Sequence, residues 1–186
     1  MGSASGATRI ATLIGEPDSH ISPLLRRLGW MYLEQLKALE KWLDEINTEI
    51  AEIFKQNDTC QRLATVPGIG PITATALVSC VGDPSQFRNG RQFAAWLVLT
   101  PRQRSSGGKT RLGGITKRGD TYLRTLLVQG ARAVMRFIER HNDRHSLWIK
   151  RLLQRRHVSI AAIALANKTA RIAWSVLAHE ETFQTA

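Results

Sequence analysis

Two adjacent serines, Ser105 and Ser106, lie in the stretch LTPRQRSSGGKTRLGGITKRGD, Leu99 to Asp120, among six arginines and lysines and with no acid before its last residue. A serine hydroxyl is a weak nucleophile until a base takes its proton and another group stabilises the charge that develops at the target. For a phosphodiester target, cations supply the second need electrostatically. Arg102, Arg104, Lys109 and Arg111 are near enough in sequence to do so, and Gly107 and Gly108 leave room for a phosphate backbone to approach. The simpler chemistry is a Ser-Ser-Gly-Gly turn whose hydroxyls hydrogen-bond phosphates without reacting. The residues alone name no general base, so both readings stand at this level.

Other chemistry-bearing residues are dispersed. Cys60 and Cys80 form no CxxC pair and have no histidines at ligand spacing, which fits a reduced intracellular protein. Of the five histidines, only His141 and His145 are spaced to share a helix face, and no glutamate follows His141 to complete a zinc-protease pattern. They read as solvated or phosphate-facing groups.

Charge narrows the partner. The 186 residues carry a formal charge of +11 with an isoelectric point near 10.6. From Arg88 to Arg124 there are nine basic residues against Asp120 alone, and from Arg132 to Arg156 eight more against Glu139 and Asp143. Two such blocks with little compensating acid point to nucleic acid rather than to a merely solvated face. The apolar run from Val158 to Leu177 is interrupted by Asn167, Lys168 and Arg171, and the first twenty residues lack a long apolar core. These features predict no membrane span and a soluble, cytoplasmic, nucleoid-associated protein.

The elements that must position these groups are mostly helical. Residues 1–22, rich in Gly, Ser and Thr, read as a loose leader. From Pro23 to Phe54, Leu36, Leu39, Leu43, Ile46, Ile50 and Ile53 alternate spacings of three and four, a heptad seam that predicts a coiled-coil linker helix over 23–57. Its other face carries much of the acid, so it is suited to a partner helix and not to DNA. Residues 58–180 read as a helical domain, with 181–186 as a tail. Within it, TVPGIGPITATAL predicts a short helix, a tight turn with Gly68 and Gly70, and a helix from Pro71 with apolar positions Ile72, Ala76, Leu77 and Cys80. This helix-hairpin-helix pattern exposes backbone N–H groups that hold phosphate without reading sequence. A short helix then carries Phe93, Ala94, Trp96 and Leu97 inward and ends before Pro101. The glycines of the serine stretch exclude a long regular element and predict a twisted loop or hairpin. Helices over Thr121–Arg140, with Arg124, Arg132, Arg136 and Arg140 off the apolar face, and over Ser159–His179 complete a mainly α fold.

The segments TVPGIGPITATAL, FRNGRQFAAWLVLTPRQRSSGGKTRLGGITKRGDTYLRTLLVQGARAV and AAIALANKTARIAW together resemble the carboxyl-terminal domain of the IS110 and IS1111 groups of insertion-sequence transposases, the bridge-RNA-guided recombinases. The likeness runs from about Pro23 to Trp174. It implies a catalytic serine that forms a phosphoserine with DNA. The family pattern P-x(4)-S-G, counted from Pro101, falls on Ser106, with Ser105 as the alternative. The likeness also implies a DNA-gripping surface, to which Gly68, Gly70, Arg102, Arg104, Lys109, Arg111, Lys117, Arg118 and Arg124 are assigned. In the family an amino-terminal RuvC-like domain binds Mg2+ through four acids and acts with a guide RNA. The expectation is that this chain lacks that half and binds no metal or cofactor of its own. It would then be inactive alone, a truncated copy or separate half. The expected partners are DNA, guide RNA, and a second copy or an intact transposase paired through the coiled coil. The alternative is a non-catalytic DNA-binding remnant or regulator. Val98 stands where the family usually has glycine, so a positive φ there would strain the turn.

Overall fold

A computed structural model describes residues 3–16, 20–106, 109–115 and 119–184, with side chains outside 3–5 and 102–112. The described residues form eight α-helices and one two-stranded hairpin, divided between two compact units, 1–49 and 50–186.

The first unit pairs α1 (Ser3–Gly15) with the first part of α2 (Pro23–Gln56). Of the leader expected to be loose, Ser3–Gly15 is therefore helical. Ile10, Leu13 and Ile14 recur at helical spacing, and Ile14 is buried against Gly29, where an added Cβ would come 3.2 Å from the isoleucine side chain. Arg26 Nη1 donates to the Ile14 carbonyl at 2.7 Å, satisfying one of the acceptors that the end of α1 leaves open. Leu33 is the buried residue of α2. The predicted seam residues Leu36, Leu39, Leu43 and Ile46 are about half exposed, as is Ile53 further along.

The second unit holds the main core. Here α3 (Asp58–Ala64) and α4 (Pro71–Val81) flank the Gly68–Gly70 turn, and α5 (Gly90–Trp96) precedes the hairpin. After the hairpin come α6 (Thr121–Arg136), α7 (Arg144–Leu153) and α8 (Val158–His179). Helix α8 is the axis of this core. It is long and apolar enough by composition to cross a membrane, but its alanine-rich face, from Ala161 through Ala173 to Val176, is packed within the unit. Small residues there let α5 and α6 approach closely.

Several local readings need correction. Helix α4 turns Thr73, Ala74, Leu77 and Val81 inward, while Ile72 and Cys80 are exposed, because α3 and α6 lie against that face. Trp96 is 39% exposed, whereas Phe93, Ala94 and Leu97 are fully buried. Trp96 instead caps the buried Phe87 and Phe93 from the surface, its ring centre 5.3 Å from Phe87 and 5.8 Å from Phe93. The helix expected to reach Arg140 stops at Arg136 and continues as a 3-10 turn over Ile138–Arg140. His141 follows that turn and precedes α7, so it shares no helix face with His145.

Candidate nucleic-acid interface

The serine stretch folds as a hairpin of β1 (Pro101–Ser106) and β2 (Lys109–Ile115). Ser106 pairs with Lys109, Ser105 with Thr110, Arg104 with Arg111 and Gln103 with Leu112. This register puts the Ser106 and Lys109 backbones at the tip. It also sets a seryl and a lysyl position opposite each other, with a pair of arginyl positions two residues further from the tip. A register irregularity lies between Pro101 and Gln103. The side chains of Arg102, Arg104, Ser105, Ser106, Lys109 and Arg111 lie outside the described residues, as do Lys117 and Arg118 entirely.

The hairpin's base is held from both sides. Helix α5 ends in a Schellman motif: Leu99 N donates to Ala94 O at 3.0 Å and Val98 N to Ala95 O at 2.9 Å. Val98 occupies the left-handed position of that motif with φ 56°. Asn167 of α8 donates to the Leu99 carbonyl at 3.2 Å, tying the exit from α5 to the core helix. On the other side Asp120 caps α6, its carboxylate accepting from Leu123 N at 2.8 Å. Gly119, at φ 117°, packs on Val98, and an added Cβ would come 3.0 Å from the Trp96 carbonyl.

Arg124, one turn into α6, departs from its expected solvent-facing position. It is 9% exposed because α6 packs against both α4 and α8, burying more of its circumference than one narrow stripe. Its Nη2 donates to Thr121 Oγ1 at 3.2 Å, while its buried Nη1 has no hydrogen-bond partner among the described residues. An unpaired guanidinium nitrogen of this kind is satisfied most strongly by an anionic oxygen.

The two turn glycines do different work. Gly68 takes φ 90° and presses its carbonyl onto α6 so closely that a Cβ on Gly130 would overlap it. Gly68 and Gly130 are thus required by packing. Gly130 is missed by the sequence reading, and its isolated occurrence within an otherwise good helix is the signal that marks it. Gly70 is exposed, is the N-cap of α4 and provides no side-chain cap, so the first turn of α4 keeps its amides and positive dipole end for other acceptors.

The acids near these elements are committed elsewhere. Asp83 caps the 3-10 turn at Pro84–Gln86 through Ser85, and hydrogen bonds from Ser85 hold its carboxyl below its ordinary value. Asp143 caps α7, where the Ser146 hydroxyl and amide hold its carboxyl at about 2. Glu139 lies 3.7 Å from Lys150. Among the described residues no three of His, Cys, Asp and Glu converge, so these carboxylates do not fit the donor set of a Mg2+ centre.

Residues 60–146 match the model of the Transposase IS116/IS110/IS902 family. The chain is 50% identical over 177 residues to a Pseudomonas aeruginosa protein named "Probable family 20 transposase", covering 95% of this chain and 51% of that protein. It is 42% identical to the transposase for insertion sequence element IS1111A of Coxiella burnetii, over 88% of this chain and 45% of the relative. It is also 42% identical to the transposase for IS1328 of Yersinia enterocolitica, over 94% and 52%. The chain spans about half the length of these curated relatives. The segment similar to the Transposase IS116/IS110/IS902 family model runs from within α3 to the start of α7, with the serine hairpin at its centre.

Proposed function

We propose that this chain supplies the serine and the phosphate-gripping surface of an insertion-sequence transposase, with Ser106 as the nucleophile. The observation that carries the reading is the hairpin register. It puts the Ser106 backbone at the tip, across from Lys109, within the segment that matches the transposase family. In the proposed step the Ser106 oxygen bonds to the phosphorus of a DNA phosphodiester as the bond to one sugar oxygen breaks. The serine proton ends on the released sugar hydroxyl. Attack by a hydroxyl from a second strand reverses the step and reseals DNA without ATP, because the ester conserves the bond.

The cations Arg102, Arg104, Lys109, Arg111, Lys117 and Arg118 would stabilise charge on the transferring phosphate. Support for phosphate binding comes from the unpaired Arg124 Nη1 and from the uncapped first turn of α4 at Gly70. Asp83, Asp120 and Asp143 serve as caps, and no step here runs through Mg2+, which we assign to a RuvC-like domain acting with guide RNA. A non-catalytic regulator is favoured by a different observation: the half-exposed seam of α2 is an unfilled coiled-coil face through which this chain could bind an intact transposase.

The discriminating experiment incubates the chain with labelled DNA bearing a candidate element end, a RuvC-like half and guide RNA. A denaturant-resistant adduct that vanishes in Ser106→Ala is expected. Salt-sensitive DNA binding without adduct, under conditions where an intact relative forms one, would reject the catalytic reading and leave the regulator.

A further inference from the structure

A second basic surface lies outside the serine hairpin and the Gly68–Gly70 turn. It is a cleft of about 930 Å³ between α5, α7 and α8, within the range of ligand-binding pockets. Arg91, Lys168 and Arg171 line it, together with Trp148, Trp174 and Asn167, and no carboxylate does.

The packing explains why these cations share one wall. Gly90, the first residue of α5, abuts the α8 backbone so closely that an added Cβ would come 2.8 Å from the Arg171 carbonyl. That approach sets Arg91 beside Arg171 on the cleft lining. Lys168, one turn before Arg171 on α8, holds its ammonium 4.6 Å from the Trp148 ring centre. Trp148 in turn stacks with His145 at 6.2 Å between centres, so the lysine head is held in place. Trp174 is fixed by its Nε1 donating to the Pro84 carbonyl at 3.2 Å. Asn167 leads from the cleft to the serine hairpin, through its hydrogen bond to Leu99 two residues before β1.

The electrostatics of this wall favour an anion. Burial lowers the Lys168 pKa first, and Arg144 and Arg171 lower it further. The nearest acid that opposes them, Asp143, already accepts three hydrogen bonds as the cap of α7. A phosphate between Arg91, Lys168 and Arg171 would relieve this repulsion.

We propose that this cleft binds an unpaired segment of a nucleic-acid strand, a backbone phosphate being held by Arg91, Lys168 and Arg171 and the adjoining base and sugar lying against Trp174 and Ile172. A concave wall mixing cations with indole rings suits a single strand, whose phosphate and base can enter together. A duplex keeps its bases stacked inside and presents only phosphates. The proposal rests on the nucleic-acid reading above but concerns residues that reading does not use. DNA and RNA share the chemistry, and the test separates them.

The experiment measures binding of the full chain to labelled single-stranded DNA, single-stranded RNA and duplex DNA of one mixed sequence by fluorescence anisotropy, over a series of salt concentrations. Arg91→Ala/Arg171→Ala should weaken single-strand binding about tenfold or more. It should also make the salt slope shallower by roughly 0.7 per lost phosphate contact, with duplex affinity within about twofold of wild type. Arg91→Lys/Arg171→Lys, which keeps the charge, should restore much of the loss, and circular dichroism of each variant checks that it is folded. Tighter wild-type binding to DNA or to RNA identifies which strand the cleft serves. Single-strand affinity and salt slope unchanged in the alanine variant, or a loss confined to duplex, would overturn the cleft while leaving the nucleic-acid reading intact. Failure of the wild-type chain to bind any of the three would overturn both.

Discussion

Val98 combines a β-branched side chain with φ 56° at the left-handed position of the α5 Schellman motif, the place where glycine is normally used. Left-handed backbone costs an L-residue roughly 1–2 kcal/mol, and packing on Gly119 offsets part of it. Val98→Gly is therefore expected to stabilise the protein by about 1 kcal/mol, raising Tm by roughly 2–4 °C; an unchanged or lower Tm would mean that the valine contact outweighs the strain. A second residue-scale consequence concerns acid. Hydrogen bonds from Ser146 hold the Asp143 carboxyl at about 2, and burial together with Lys168 pushes His145 below its ordinary 6.5. Both pKa values are depressed in the folded state, so the unfolded chain takes up more protons as the pH falls. The stabilisation is intact above 6.5 and is withdrawn on acidification, for His145 from 6.5 downward and for Asp143 between 3.8 and about 2. Melting curves should show Tm falling from pH 7.5 to 5.5, with a smaller fall in His145→Gln. Equal falls in the two proteins would remove His145 from the explanation.

Among the elements, α2 is the one with an apolar seam and no described neighbour along most of it. Leu39 is 50% and Leu43 59% exposed, and burying such a side chain in a helical pair is worth roughly 1.5–3 kcal/mol. Sedimentation equilibrium should show self-association that Leu39→Lys/Leu43→Lys abolishes; a wild-type chain that stays monomeric at high micromolar concentration would contradict pairing between copies. The same helix shows what was legible in the sequence: a seam of six positions defines a helix whatever it packs against, and α2 runs from Pro23 to Gln56 as expected. Helix starts were legible for a similar local reason, as at Pro71 and Thr121. Tertiary choices were not. Which face of α4 turns inward depends on α3 and α6, and the burial of Arg124 depends on α6 having two neighbours. The cleft was invisible because Arg91 and Arg171 come from helices far apart in sequence and meet only through Gly90.

At the scale of the whole molecule, charge is divided by function. The acid-bearing α2 and the basic blocks from Arg88 to Arg124 and Arg132 to Arg156 occupy separate stretches of a chain with formal charge +11. An acid-bearing helix therefore precedes a strongly basic segment that matches the transposase family model. The central proposal is that Ser106, whose backbone lies at the hairpin tip, does chemistry on a DNA phosphate. The most direct test is to trap the complex with element-end DNA, a RuvC-like half and guide RNA, digest the DNA and the protein, and map the nucleotide-bearing residue by mass spectrometry. A nucleotide remnant on Ser106, absent from Ser106→Ala, is the predicted result. A remnant on Ser105 or another residue, or none at all where an intact relative yields one, would contradict Ser106 as the nucleophile.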